Sequence, residues 1–340
     1  MSAAPGGAAA RGVATGVAAV ADLAFVAGLE PLARALAEPD VTEVMVNAGD
    51  ELWVERDGAL TRIGRVDRVA VEVLVERALA PLGRRLDRLS PVVDARLPDG
   101  SRLCAAVAPV AVDGICLSIR RFAMRHLPLA AFAGAAVVEL LHEVVRRRCN
   151  VLVSGATSSG KTTLLGSLTG LVPVTERIVT LEDTAELQLG ARHVVRLEAR
   201  DATPDGIGAV TLSDLLRAAL RLRPDRLVIG EVRGDEAVPM VQALNTGHDG
   251  SLATCHANSA PDALARLESL VVQAAPGWPM SAVREHVHRS IDVVVHVARA
   301  RDGGRRIEGV AEVSPSGASA RTRPLADAGV VSGELRRTRA

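Results

Sequence analysis

The sequence predicts an α/β protein of two domains, a small mixed α/β unit followed by a larger core in which strands and helices alternate around a parallel sheet. Three observations carry this expectation. At 340 residues and 48% apolar content the chain is long enough to bury two cores. Short strand-like runs separated by tight turns crowd its first third, whereas from Cys149 onward apolar strands recur with helical stretches between them. The only lysine of the chain, Lys161, stands between such a strand and such a helix, in Gly155-Ala156-Thr157-Ser158-Ser159-Gly160-Lys161-Thr162.

Taken in order, residues 1–12, mostly alanine and glycine with Arg11 as the only charge, read as disordered, and the stretch from 13 to 29 reads as an amphipathic helix. That stretch is too short to cross a membrane, and it carries Asp22. Residues 41–47 and 51–56 are strands flanking a turn at 47–50, and Asp57-Gly58 marks a second hairpin turn. Residues 69–86 read as a helix, and 92–96, 102–107 and 114–122 as short strands, two of them joined by the turn at Pro98-Asp99-Gly100. The first domain is thus expected over 13–123 and a linker over 124–130, where His126-Leu127-Pro128 interrupts both periodicities. The core follows over 131–313, with strands at 150–154, 177–182, 193–198, 226–231, 251–255 and 293–297. From Ser314 the chain turns small and polar, and 314–340 is expected to be a flexible tail.

Composition excludes several classes. Net charge is zero, and the only basic block is Arg146-Arg147-Arg148, which reads as the solvated end of a helix, so no nucleic-acid surface is expected. With three Phe, two Trp and no Tyr the chain offers no platform for stacking bases. Cys104, Cys116, Cys149 and Cys255 form no C-x-x-C pair, which argues for reduced, buried thiols and against a four-cysteine zinc site.

The glycine-bounded segment from Gly155 to Lys161 has the spacing of a phosphate-binding P-loop. Its backbone N–H groups would curl around phosphate oxygens, with the positive end of the next helix behind them. Arginine supplies every other basic side chain, and an ammonium on a flexible stem reaches between phosphates where a planar guanidinium does not. Residues 155–163, including Thr163, are therefore the expected phosphate cradle. Arg226-Leu227-Val228-Ile229-Gly230-Glu231 is an apolar strand ending in a carboxylate. Glu231 is placed either to orient a water or to hold magnesium through one, or it is a surface glutamate at a strand end. Glu182, Asp183 and Glu186 would lie at the carboxyl edge of the same sheet, or would be charges at a helix start. A polar box from Thr246 to Asn258 carries His248 and His256 at a spacing unlike that of zinc proteases, and is suited to sensing a γ-phosphate.

Together these four boxes, the P-loop, 181–187, 223–234 and 246–258, resemble the type II/type IV secretion ATPases in kind and order. The stretches 28–32, 40–47 and Leu97-Pro98-Asp99-Gly100-Ser101-Arg102 are similar to that family too, so the resemblance spans roughly 28–313. The likeness is greatest to the TadA/CpaF group of tight-adherence pilus assembly, and the absence of a four-cysteine insertion favours that branch and the conjugation-type branch. The resemblance implies a RecA-like P-loop NTPase core behind a smaller α/β domain, working as a homohexamer with ATP and Mg2+. It also implies a cytoplasmic ring at the inner face of the bacterial membrane, against a polytopic platform protein. It assigns Lys161 and Thr162 to phosphate and magnesium, Glu231 to the Walker B acid, Glu182 and Glu186 to the acidic box, and His256 to the γ-phosphate. Arg102 and Arg120 match the arginines that reach the phosphates from the first domain. Arg217 and Arg221 are either fingers acting on a neighbouring subunit or salt-bridging residues of one helix. A conjugation-type DNA motor and a non-hydrolysing nucleotide-dependent scaffold are the rival readings.

Overall fold

The computed structural model describes residues 27–339 apart from 57, 98, 122–126, 188, 190–192, 203–205, 301–302 and 315–321. The expected disorder of 1–12 and nearly all of the helix expected before Gly28 lie outside these residues, as do Asp57, Pro98, Phe122 and His126. The chain divides into two units, 1–124 and 125–340.

In the first unit, helix α1 (Glu30–Ala37) precedes strands β1 (Val41–Asn47), β2 (Glu51–Arg56) and β3 (Ala59–Arg65). Helix α2 (Arg68–Leu79) and strands β4 (Val92–Arg96), β5 (Arg102–Ala106) and β6 (Cys116–Arg120) follow. The strands form one antiparallel sheet in the order β3-β2-β1-β6-β5-β4. Alternation along each strand sends Val44, Val46, Leu52, Val54, Leu103, Leu117 and Ile119 to one face, where they pack with Leu32, Val71, Leu74 and Val75 of the helices. Asp67 caps α2, its carboxylate accepting the Ala70 N–H at 2.8 Å. The helix expected over 69–86 stops at Leu79 because Pro81 supplies no N–H, and the chain leaves through a 3-10 turn and Gly83 at φ +65°. β3 was not anticipated: as an edge strand it buries none of its side chains, so it carries no apolar signal.

The second unit opens with helix α3 (Ala135–Arg146) and strand β7 (Val151–Gly155), followed by α4 (Lys161–Thr169), β8 (Ile178–Glu182), β9 (Val194–Glu198) and α5 (Leu212–Ala219). Next come β10 (Arg226–Ile229), α6 (Ala237–Leu244), β11 (Leu252–His256), α7 (Ala260–Ala274), α8 (Met280–Ser290) and β12 (Val293–Arg299). Strands β13 (Arg305–Val313), β14 (Thr322–Asp327) and β15 (Val330–Val331) complete it. The sheet order is β15-β14-β13-β12-β7-β11-β10-β8-β9, parallel from β12 to β9 and antiparallel from β12 to β15. Its central parallel strands are buried on both faces, which is why they read as continuous apolar runs. Leu152, Val179, Leu181 and Ile229 face α5–α8, whereas Val151, Val153 and Ile178 face α3 and α4. Pro239 sits at the third position of α6, where its missing N–H falls in the first turn and costs no helical bond.

Four expectations need correction here. Leu129 and Phe132 are buried and Leu127 packs beside them in the second core, so residues 127–130 belong to that unit and are not a linker. The described part of the expected flexible tail, 322–339, is folded: Leu325 is fully buried in β14, and the acidic residues beneath hold the rest. Glu312 accepts the N–H groups of Arg336 and Arg337 at 2.7 Å each, and Asp292, 1% exposed, binds Arg337 at 3.2 Å and Arg339 at 2.6 Å. Of the basic triplet only Arg146 lies at the solvent; Arg148 binds Glu176 at 2.8 Å and Arg147 donates to the Leu335 carbonyl at 2.8 Å. Cys149 and Cys255 are buried, which pushes their thiols up to about 12, but Cys104 and Cys116 are exposed.

Candidate active site

The P-loop leaves β7 at Gly155 and closes on α4 through Gly160, at φ +99°, with Ser158 also left-handed at φ +59°. These conformations curl the backbone tightly enough for the Lys161 ammonium to turn back on its own loop. It donates to the carbonyls of Gly155 at 3.1 Å and Ala156 at 2.8 Å. Lys161 is 7% exposed, and burial lowers its pKa against the opposing pull of Glu231. Thr162 and Thr163 lie half-buried in the first turn of α4.

Three neighbouring strands bring acidic and imidazole groups towards that ammonium. Gly230, just past β10, donates its N–H to Leu181 of β8 at 2.8 Å, and Val232 donates to Thr254 of β11 at 2.8 Å, so Glu231 is strung between two strands. The Thr254 hydroxyl braces the same segment by donating to the Gly230 carbonyl at 2.6 Å. His256, at the end of β11, has Nδ1 3.4 Å from Lys161 Nζ and Nε2 2.6 Å from Glu231 Oε1. An ammonium has only donors to offer, so in that contact Nδ1 is the acceptor, while Nε2 lies on the Glu231 side of the ring. Lys161, His256 and Glu231 thus lie in one polar row.

Glu182 ends β8 with 2% exposure. Its Oε1 accepts the N–H groups of Glu186 at 2.9 Å and Leu187 at 2.8 Å. Burial outweighs these bonds and raises its pKa to about 7. Gly230 is a glycine for its sake, since a Cβ there would lie 2.9 Å from Glu182 Cγ. Glu186 contributes its backbone N–H to this cluster, and Arg233 binds Asp183 at 2.5 Å, linking the acidic box to the segment after Glu231. Ser159 Oγ, Glu182 Oε2 and Glu231 Oε1 are all buried without a hydrogen bond, the last because the His256 contact lies off the line of one. Buried polar atoms are normally satisfied, so three orphans at the finishing ends of β7, β8 and β10 mark a place built for a polar ligand. A hydroxyl in the first turn of α4 and an unsatisfied carboxylate oxygen suit Mg2+, which takes few protein ligands beside phosphate oxygens.

The structure therefore brings together Lys161, Glu231, His256, Glu182 and the backbone of Glu186. It does not bring His248 among them, because its Nδ1 lies 3.1 Å from the Ala243 carbonyl at the end of α6. Arg102 and Arg120 are exposed in the first unit, paired across β5 and β6, with Arg96 next to Arg102 on β4. Arg217 is exposed and paired with Asp214 at 3.5 Å, while α5 ends at Ala219, so Arg221 lies beyond the helix and does not share a helical face with it. Sequence reasoning missed His296, whose Nδ1 lies 2.9 Å from Ser154 Oγ directly before the P-loop. The signal was present as a lone imidazole in the apolar run Val293-Val294-Val295-His296-Val297.

Comparison with known proteins agrees with this architecture. Residues 26–322 match the family model described as type II/IV secretion system protein. A putative conjugal transfer protein of Mycobacterium tuberculosis is 42% identical over 296 residues, covering 83% of each chain. The type IV secretion system protein PtlH of Bordetella pertussis is 34% identical over 310 residues, covering 82% of this chain and 91% of that one. Among solved structures, the pilus retraction motor PilT superposes with a TM-score of 0.60 at 19% identity, over 84% of this chain and 82% of that one. The Legionella pneumophila ATPase DotB does so with 0.55 at 19% identity, over 83% and 78%. Those likenesses show the fold, an α/β architecture with a RecA-like core. On the match across 26–322 and these identities, the chain belongs to the type II/IV secretion system protein family.

Proposed function

We propose that the protein is a P-loop motor ATPase that couples ATP hydrolysis to domain motion in a bacterial secretion or pilus-assembly machine. The observation that carries this reading is the convergence of Lys161, His256 and Glu231 with three orphaned buried oxygens at one end of the parallel sheet. In this reading the N–H groups of 155–163 and the Lys161 ammonium hold the phosphates. Thr162, with Glu231 through water, holds Mg2+, which when bound neutralises phosphate charge. Glu231 orients the attacking water, and His256 keeps Glu231 and Lys161 in register while facing the γ-phosphate. Glu182 and Glu186 supply the acidic wall, and Arg102 and Arg120 bring positive charge from the first unit.

As a motor it would act as a homohexamer at the cytoplasmic face of the inner membrane, against a polytopic platform protein, in the manner of the TadA/CpaF pilus branch. No helix among the described residues is long and apolar enough to cross a membrane. The names of the relatives favour a second reading, a conjugation-type transfer ATPase, which shares the same engine. DNA- or relaxase-dependent stimulation of turnover would separate the two.

Steady-state ATPase rate per subunit, measured against protein concentration, tests the proposal. A specific rate that climbs with concentration and disappears in Glu231→Gln, with ATP binding retained, is expected of a ring. Undiminished turnover in that variant would remove the role given to Glu231. Tight binding without turnover at any concentration would point to a non-hydrolysing scaffold.

A further inference from the structure

His296 is the one polar side chain in the run from Val293 to Val297 of β12, and the register of the sheet decides what it meets. β12 lies parallel to β7 with His296 beside Ser154, the residue directly before the P-loop. Alternation points both side chains to the α7 side of the sheet, the side taken by Leu152 and Val294. There Ser154 is fully buried, and its Oγ is hydrogen-bonded with His296 Nδ1 at 2.9 Å. The β12 backbone closes on the next residue as well, since a Cβ on Gly155 would stand 2.3 Å from the Val297 carbonyl oxygen. Residues 296 and 297 thus meet both residues through which β7 passes into the P-loop.

An irregularity of the sheet meets the other edge of the imidazole. The pairing of β12 with β13 shifts from His296 opposite Gly309 to Val297 opposite Ile307, which leaves Glu308 as the extra residue of a bulge. Bulges turn a side chain out of the regular ladder, and Glu308 brings Oε2 to 3.9 Å from His296 Nε2. Asp262, in the first turn of α7, adds its charge. Burial nevertheless holds the His296 pKa below its ordinary value, against the pull of both carboxylates. The ring is therefore neutral at neutral pH, and it serves Ser154 as a hydrogen-bonding partner rather than as a charge.

Resting on the nucleotide-site reading above, we propose that His296 is a positioning residue for nucleotide binding, which through Ser154 fixes the point where β7 turns into the P-loop. In that reading the phosphates are held by a backbone that starts at Gly155, so freedom at Ser154 becomes freedom at every donor beyond it. His296 itself touches no phosphate. Its effect lies in how tightly nucleotide is held, and it passes through the Ser154 hydroxyl.

Titration of Mg-ADP into the full-length protein by calorimetry at neutral pH tests this, with an unfolding midpoint recorded for every variant. His296→Leu and Ser154→Ala should each weaken ADP binding by about fivefold, the scale of one neutral hydrogen bond. The double variant should be no weaker than either single one, because the same hydrogen bond is lost in all three. His296→Asn, which keeps a polar atom to offer Ser154, should recover most of the affinity. Val294→Ala opens a cavity on the same strand and face, beside Leu152 and not Ser154, so it should lower the unfolding midpoint and bind ADP as the wild type does. Wild-type affinity in His296→Leu, losses that multiply in the double variant, no recovery in His296→Asn, or an equal loss in Val294→Ala would each overturn the proposal. Lys161→Ala, titrated in parallel, separates the two readings. If it binds ADP as the wild type does, the nucleotide-site reading fails and this one with it. If it loses ADP while His296→Leu keeps it, only the role of His296 falls.

Discussion

The two ends of the parallel sheet in the second unit treat buried polar groups in opposite ways. At the end where strands start, Arg226 is 1% exposed, yet its guanidinium binds Glu176 at 2.7 Å and the carbonyls of Val145 and Gly250. Asp292 there is met by Arg337, Arg339 and the Asn150 N–H, and Arg339 reaches on to Asp249 at 3.1 Å. At the end where strands finish, Ser159, Glu182 and Glu231 each bury an oxygen with no hydrogen bond. At the first end the named charges hold strands and C-terminal segment together, although His288 Nε2 nearby is also buried without a hydrogen bond. At the other end three oxygens are left unsatisfied within a few residues of the P-loop, which forgoes stability and is the pattern the ligand reading expects.

Breaking the strand-start end should cost the most stability. Arg226→Met leaves Glu176 to Arg148 alone and takes a donor from the carbonyls of Val145 and Gly250, and is expected to destabilise the second unit by about 3 kcal/mol in denaturant titration. Its nucleotide affinity, measured where it remains folded, should be unchanged; a loss of binding without a loss of stability would reverse the contrast.

A substitution at the finishing end should act with the opposite sign. Glu182 is about 7 when folded against 4.5 as the ordinary value, so the folded state holds the proton more tightly. Its stabilising contribution is complete below pH 4.5 and is lost as pH rises through 7, about 3 kcal/mol in all. Nucleotide-free Glu182→Gln should therefore lack that loss and be the more stable protein at pH 8. Parallel stability–pH curves for the two proteins would refute it.

Smaller effects sharpen the picture. Arg339→Met leaves Asp292 with Arg337 and the Asn150 N–H, and should cost about 2 kcal/mol, read as a lower unfolding midpoint. His256→Ala removes the link between Lys161 and Glu231, and should slow turnover by about tenfold with little change in stability, since His256 is half exposed. An equal loss in Arg339→Met turnover would show that the two ends are not separable.

Much of this arrangement was legible in the chain. β1 and β2 fall on the expected residues, and the parallel strands are within a residue or two, because strands buried on both faces leave unbroken apolar runs. Spacing singled out Lys161, Glu182, Glu231 and His256, and the fold places all four at the finishing ends of neighbouring parallel strands. β3 and the C-terminal strands were missed because β3 lies exposed at a sheet edge and the apolar residues of β13 to β15 come in short clusters among charged ones, with no sustained alternation. β14 and the residues after it are fastened by Glu312 and Asp292, ion pairs between residues up to 47 positions apart that leave no local pattern.

Local sequence alone thus determined where the glycine-bounded loop of 155–161 lies, which strands surround it and which side chains carry charge. Periodicity and spacing are properties of a few neighbouring residues. Only the tertiary structure decided that His256 bridges Lys161 to Glu231, that His296 holds Ser154, and that the C-terminal segment is clamped to Asp292. Those contacts join segments tens of residues apart, and their geometry is set by the parallel register of β7, β11 and β12, which no local run of residues encodes.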